Sequence, residues 1–138
     1  MSYDLVVYLR RSNMPSPAAW HSSIVAAGFP VALDTDFDVD AFSGFLPCQV
    51  NGEISGFEYY ASAVSPEDAK GLGLASGTDF SIQFCIGSQP LELASALAAS
   101  SVLAEVSGGS LEDPQAGESI PADSAVSWAR VQLTQLAT

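Results

Sequence analysis

The chain has 138 residues, 48% of them hydrophobic, and carries sixteen acidic side chains against four lysines and arginines, for a formal net charge of −12. This hydrophobic content excludes a disordered chain, and the length is that of one domain, here expected to span residues 1–138. The negative charge disfavours nucleic acid or an anionic membrane as a direct partner, because four cationic side chains could neutralise only a few phosphate groups.

Two features of the sequence bear on the compartment. No segment reaches the ~18 consecutive apolar residues of a membrane span, and the N-terminus lacks the basic and apolar regions of a secretory signal. Cys48 and Cys85 lie among apolar neighbours without a CxxC spacing, which favours two reduced core thiols over a disulfide. We therefore expect a cytoplasmic protein.

The first part of the chain predicts a strand, a helix and a second strand. Tyr3–Leu9 is rich in branched and aromatic residues, as strands are. Ser16 can cap a helix near residues 17–28, which has proline in its first turn and glycine at its end. Pro30–Leu33 can begin the second strand. This order of elements suggests a right-handed crossover.

Next comes an acidic run with a carboxylate at every second position. In an extended conformation these carboxylates would share one face, with Phe37 and Val39 on the other. Like charges on one side of a strand repel each other, so we expect the run to be solvated at an edge or in a loop. We predict that it forms a partner-binding strip of four residues: Asp34, Asp36, Asp38 and Asp40.

The same run invites a calcium interpretation, because its first three carboxylates match the first three ligand positions of an EF-hand loop. The match fails at position six, where Val39 stands in place of glycine. It fails again at position twelve, where Phe45 stands in place of a bidentate glutamate. The sequence therefore predicts no metal site, and it predicts no cofactor.

The middle of the chain carries the clearest local patterns. Asn51–Gly52 lies between two strand-like runs and predicts a hairpin turn. Thr78–Ile86 alternates like a half-buried strand around which the sheet is organised. Leu91–Val106 is a helix almost without charge, so we expect it to be the most buried one, ending at Gly108. Ser110–Asp113 predicts a short returning strand.

The last segment predicts a turn-rich loop over Gln115–Ala122, followed by a helix near residues 124–137 that Asp123 or Ser124 would cap. Taken together, the patterns predict an α+β fold. Its mixed, mainly antiparallel sheet would have about five or six strands and would pack against two or three helices.

A pocket near His21, Arg10 and Arg11 is the alternative functional hypothesis, for an enzyme or a small-ligand-binding protein. His21 is the one histidine of the chain, so it lacks the companions of an ordinary transition-metal site. No G-x-S-x-G stretch provides a serine nucleophile for it. A structural or oligomeric module is a third hypothesis.

Several segments give the chain a family resemblance: Ser43–Pro47, Gly56–Tyr60, Asp113–Gly117 and the small-residue helix before Gly108. Together they resemble small acidic α+β proteins of bacteria, some of which are immunity proteins encoded beside secreted toxins. The resemblance implies a protein that covers a toxin's active site or a nearby surface and needs no catalytic residues. It supplies no defined interaction motif, so no functional residue is carried over. We therefore expect a non-catalytic protein with a basic protein partner.

Overall fold

The computed structural model describes residues 3–87 and 89–136, with the side chain of Leu136 outside that description. Its strands are β1 (Tyr3–Leu9), β2 (Val31–Leu33), β3 (Ser43–Val50), β4 (Glu53–Ala63), β5 (Phe80–Ile86), β6 (Ser110–Asp113) and β7 (Glu118–Pro121). Its helices are α1 (Pro17–Ala26), α2 (Pro66–Gly71), α3 (Pro90–Ser107) and α4 (Ala122–Leu136). A 3-10 turn at Arg11–Asn13 follows β1. The α+β class predicted from the sequence is confirmed.

The seven strands form one sheet in the order β2-β3-β4-β5-β1-β6-β7, and each recorded pairing is antiparallel. Because neighbours alternate in direction, β1, β2, β4 and β7 all run the same way. We call the end of the sheet at which these four strands finish the upper end. The connection through α1 passes three intervening strands, so β1 and β2 are parallel in direction but are not neighbours.

One face of the sheet, here called the covered face, packs against α1, α3 and α4. The alternation predicted for the middle strand is confirmed, since Phe80, Ile82, Phe84 and Ile86 of β5 are all buried there. The prediction that the charge-poor helix is the most buried is also confirmed. Eleven of the eighteen residues of α3 are buried, and Gly108 ends the helix at φ 69°.

The predicted hairpin is confirmed between β3 and β4. Asn51 and Gly52 have φ values of 52° and 83°, as a two-residue turn with positive φ requires. Gly56 in the second arm meets a different constraint. A Cβ there would lie 2.3 Å from the carbonyl oxygen of Leu46 on the paired strand, so the close approach of the two backbones requires glycine.

The segment after β6 differs from the prediction. Glu118–Pro121 forms a seventh strand instead of part of a loop, and it pairs with β6 so that Ile120 lies opposite Leu111. Helix α4 begins at Ala122, so Asp123 and Ser124 lie in its first turn and are not its cap. Residue 137, the expected end of the helix, lies outside the described residues.

The opposite side of the sheet, here called the open face, is not packed against α1, α3 or α4. Side chains from four strands lie on it, partly or fully exposed: Asp4, Val6, Tyr8, Glu58, Tyr60, Gln83, Cys85 and Glu112. The open face is therefore the part of the sheet that is accessible to another molecule.

Within the described part of the chain, none of the helices has both the length and the apolar composition needed to span a bilayer.

Candidate functional site: an acidic loop and an open sheet face

Residues 34–42, here called the acidic loop, connect β2 to β3 at the upper end of the sheet. The segment turns twice instead of staying extended. The Asp34 carboxylate accepts a hydrogen bond from the Asp36 amide at 2.9 Å, and the Asp38 carboxylate accepts one from the Asp40 amide at 2.8 Å. All four carboxylates are exposed, as predicted for a solvated loop.

Aromatic residues attach the acidic loop to the core. The Tyr59 hydroxyl donates a hydrogen bond to the carbonyl oxygen of Val39 at 2.6 Å. The ring of Phe37 lies 5.4 Å from that of Tyr59, 5.7 Å from that of Phe42 and 6.4 Å from that of Trp20. Trp20 is fully buried, so the loop rests on the core and its carboxylates are held outward.

Asp40 differs from the other three members of the strip, because Arg11 forms a two-point ion pair with its carboxylate. The hydrogen bonds from this guanidinium lower the pKa of Asp40. Arg11 also lies over the ring of Phe80, 5.4 Å from its centroid. The charge of Asp40 is thus already balanced, whereas Asp34, Asp36 and Asp38 have no ion-pair partner among the described residues.

The rest of the surface is poorly neutralised as well. Among residues 3–87 and 89–136, the pair of Arg11 with Asp40 is the one salt bridge found for sixteen carboxylates. Arg10 donates to the carbonyl oxygen of Ser76 at 2.9 Å, and Arg130 donates to that of Ala27. These two arginines bind backbone carbonyls instead of carboxylates. Because sixteen acidic side chains face four basic ones, the protein keeps a net negative field.

Of the three residues of the alternative hypothesis, Arg10 lines a cavity of about 680 Å³ whose lining includes neither His21 nor Arg11. His21 instead accepts, at Nδ1, a hydrogen bond of 3.1 Å from the amide of Leu33 in the edge strand β2. The next amide along the chain, that of Asp34, bonds to Pro47 of β3, so the Leu33 amide points away from the sheet. His21 therefore accepts a hydrogen bond from a backbone donor that has no strand partner at the edge of the sheet.

The two cysteines are free but lie on opposite faces of the sheet. Cys48 is buried on the covered face, and burial raises its pKa to about 12. Cys85 is half-buried on the open face, so the expectation of a core thiol is wrong for it. The pKa of Cys85 is raised to about 11, mainly by burial and to a smaller extent by a hydrogen bond with Asp4. Both thiols are protonated at neutral pH, which makes them poor nucleophiles.

Carboxylates do not gather elsewhere to hold a metal ion. Across the described residues, no group of three or more histidine, cysteine, aspartate or glutamate side chains has a suitable arrangement. Asp113, the one acidic residue that is buried among those the structure describes, accepts hydrogen bonds from the hydroxyl of Tyr3 at 2.6 Å and from Gln115 at 2.9 Å. These bonds give Asp113 a structural role.

A second acidic region, which no sequence pattern predicted, lies around Tyr8 on the open face near the upper end. Tyr8 and Leu72 border three adjoining cavities, two of which Glu112 also lines. Pairing of β1 with β6 places Glu112 opposite Val6, two residues from Tyr8. Residues so far apart in the chain share no local pattern, so only the strand pairing reveals this site.

Comparison with protein-family models, with curated proteins and with solved structures gives no match. The resemblance to immunity proteins therefore stays a hypothesis. The acidic loop and the open face are the features of the molecule that bear on its function.

Proposed function

We propose that this is a non-catalytic acidic binding protein, whose acidic loop contacts a basic protein partner. The observation that carries the proposal is the exposure of Asp34, Asp36 and Asp38 on a loop that aromatic residues attach to the core. A loop already held in one conformation loses little entropy when it binds. Its carboxylates are therefore arranged to meet lysine and arginine side chains.

The net charge of −12 supports the same choice of partner. A strongly negative surface attracts a basic protein over several ångströms and speeds their encounter, and this effect weakens as salt screens the charges. The same field repels polyanions, so nucleic acid and anionic membranes are disfavoured as partners.

An apolar area next to the loop adds contact surface. A depression of about 320 Å³ lies between Asp34 and Ile54, and Ile54 is 80% exposed at the start of β4. Protein interfaces combine an apolar centre with a polar rim. Ile54 would provide the apolar contact here, and the acidic loop the rim.

The family resemblance suggests a more specific form of the proposal. In this form the protein works in the cytoplasm as an immunity protein, and it neutralises a cognate toxin by covering its active site. The direct test is to co-express the chain with the product of the neighbouring reading frame. Recovery of growth by the wild-type chain, and its loss in the triple variant described next, would support the immunity role.

The broader proposal is tested by affinity capture on the immobilised protein at low and high salt. The variant D34N/D36N/D38N removes three charges while keeping side-chain size, and D123N/E105Q, far from the loop in sequence, serves as the charge-loss control. We expect basic proteins to be captured by the wild type and by the control, and to be largely lost with the triple variant. Capture of acidic proteins, or capture unaffected by the triple variant, would overturn the proposal.

A further inference from the structure

The open face contains a groove around Tyr8, bounded by strands β1, β6 and β7 and by the chain that follows α2. Three cavities adjoin there, with volumes of about 680, 420 and 370 Å³, and Tyr8 and Leu72 line all three. We call their union the Tyr8 groove. Its size is sufficient for a large side chain of another protein, with room for the flanking backbone.

The charged residues that line the Tyr8 groove are mostly acidic. Glu112 lines two of its cavities, Glu118 lines one of these, and Glu67 and Asp68 line the third. Arg10 also borders the groove, but its guanidinium already donates to the carbonyl of Ser76. The groove therefore favours a cationic occupant.

Glu112 has an unusual local environment. Its Oε2 atom is buried and has no hydrogen-bond partner among the described residues. Glu112 pairs with Val6, two residues from Tyr8, and both Tyr8 and Glu112 line two of the cavities. Burial and, to a smaller extent, the negative charge of Glu112 raise the pKa of Tyr8. A buried carboxylate oxygen without a donor is unfavourable, and it is uncommon in folded proteins. Because Glu112 lines the groove, rotation of its side chain would let this oxygen accept a hydrogen bond from a donor that enters there.

We propose that the Tyr8 groove binds an arginine side chain of the basic partner. The guanidinium would donate two hydrogen bonds to the Glu112 carboxylate and would lie against the ring of Tyr8. Arginine fits better than lysine, because its planar group donates two parallel hydrogen bonds to a carboxylate and stacks on aromatic rings. This inference rests on the proposed function, since it assumes a basic protein partner.

A second copy of this chain is a poor occupant. The open face it would present carries Asp4, Glu58 and Glu112, so two such faces would repel each other. Each of its arginines is also already engaged, with Ser76, Asp40 and Ala27 as the recorded acceptors. A partner with free arginines is required instead.

The Tyr8 groove and the acidic loop lie toward the same end of the sheet. The acidic loop follows β2, the chain from α2 to Leu72 follows β4, and both strands finish at the upper end. Arg11, just after β1, contacts the acidic loop through Asp40. One partner surface can therefore engage both regions, with the loop supplying long-range attraction and the groove supplying a specific pocket.

The test uses N-acetyl-arginine amide as the probe, with N-acetyl-citrulline amide as its neutral counterpart of similar shape. Each is titrated into the isotopically labelled full chain at constant ionic strength and followed by NMR. We expect millimolar binding of the arginine compound, as for a single side chain, with shifts concentrated at Tyr8, Leu72 and Glu112. The citrulline compound should cause little change.

Three variants sharpen the test. E112Q should weaken binding at least about fivefold, because it removes the charge that strengthens both hydrogen bonds. Y8L should weaken it about threefold through loss of the ring, whereas Y8F should bind like the wild type. Far-UV circular dichroism and thermal melting of each variant confirm that the fold is intact.

The outcomes separate this inference from the proposed function. Shifts that spread evenly over the acidic surface, equal shifts with citrulline, or unchanged binding by E112Q would overturn the groove assignment. Salt-sensitive capture of basic proteins by the acidic loop would still stand in that case. Conversely, arginine binding in the groove with no basic protein captured would overturn the proposed function and the partner assigned to the groove, and would leave the groove as an arginine-binding site.

Discussion

The two faces of the sheet are made by the same strands but have opposite properties. On the covered face of β1, Leu5 and Val7 are 0% exposed and belong to one continuous core. On the open face of the same strand, Asp4 and Tyr8 are half-buried and lie beside other acidic residues. The alternation of a strand thus separates two roles: one set of side chains stabilises the fold, and the other is available for binding.

The largest expected effect comes from Trp20 on the covered side. Its ring packs against those of Phe37, Tyr59 and Phe84, and its indole N–H donates to the carbonyl of Ala99 at 3.0 Å. W20A should lower the free energy of unfolding by about 3–5 kcal/mol, because it leaves a large cavity and an unpaired carbonyl. Chemical denaturation measures this loss.

Tyr60 on the open face is the matched control for Trp20. It is only half-buried, and its hydroxyl bonds to Glu58, so Y60A should cost less than about 1 kcal/mol. Similar losses from W20A and Y60A would contradict the distinction between the two faces. W20A should also increase amide exchange in the acidic loop, since Phe37 would lose its support.

A smaller effect is expected at the edge of the sheet. H21A should cost about 1 kcal/mol of unfolding free energy and speed hydrogen exchange of the Leu33 amide, which would lose its acceptor. H21N is the control, because asparagine Oδ1 occupies nearly the position of histidine Nδ1 and can accept the same bond. Unchanged exchange in H21A would show that the edge needs no such cover.

Local patterns explain why much of the fold could be predicted. The hairpin turn at Asn51–Gly52 depends on two adjacent residues with positive φ, and the alternation of β5 extends over seven residues. Strand β7 has only Ile120 as an apolar signal, so its pairing with β6 could not be seen locally. The hairpin turn and β5 could be predicted because their signals lie within one short segment, whereas the pairing of β7 depends on a contact between two strands.

The candidate site also has features that the sequence could predict and features that it could not. Exposure of Asp34, Asp36 and Asp38 follows from the repulsion of like charges within one short segment. The pairing of Asp40 with Arg11 and the proximity of Glu112 to Tyr8 depend on contacts across the chain. No local pattern predicts either contact, and both alter the electrostatics of the site.

The last expected effect concerns the reactivity of the two cysteines and leaves the stability of the fold unchanged. With a pKa of about 11, Cys85 should be alkylated at pH 8 at least about tenfold more slowly than an ordinary exposed thiol, because the lower thiolate fraction outweighs the greater nucleophilicity of a more basic thiolate. Cys48 should react more slowly still, because it is buried on the covered face. Since a raised pKa favours the protonated form, the rate at Cys85 should rise as the pH approaches 11.

Mass spectrometry of the alkylated peptides gives the order of reaction. D4N removes the carboxylate that helps to keep the Cys85 thiol protonated, so it should accelerate modification of Cys85 and leave Cys48 unaffected. Faster reaction at Cys48 than at Cys85 would contradict the assignment of the two thiols to the covered and open faces.

The most direct test is the association rate constant of a captured basic partner, measured at several salt concentrations with the wild-type chain and with D34N/D36N/D38N. If the negative surface governs recognition, the rate should fall at least about tenfold between low and high salt, and the triple variant should show a weaker dependence. A rate constant that is independent of salt, or the same salt dependence in both proteins, would contradict binding through the acidic loop.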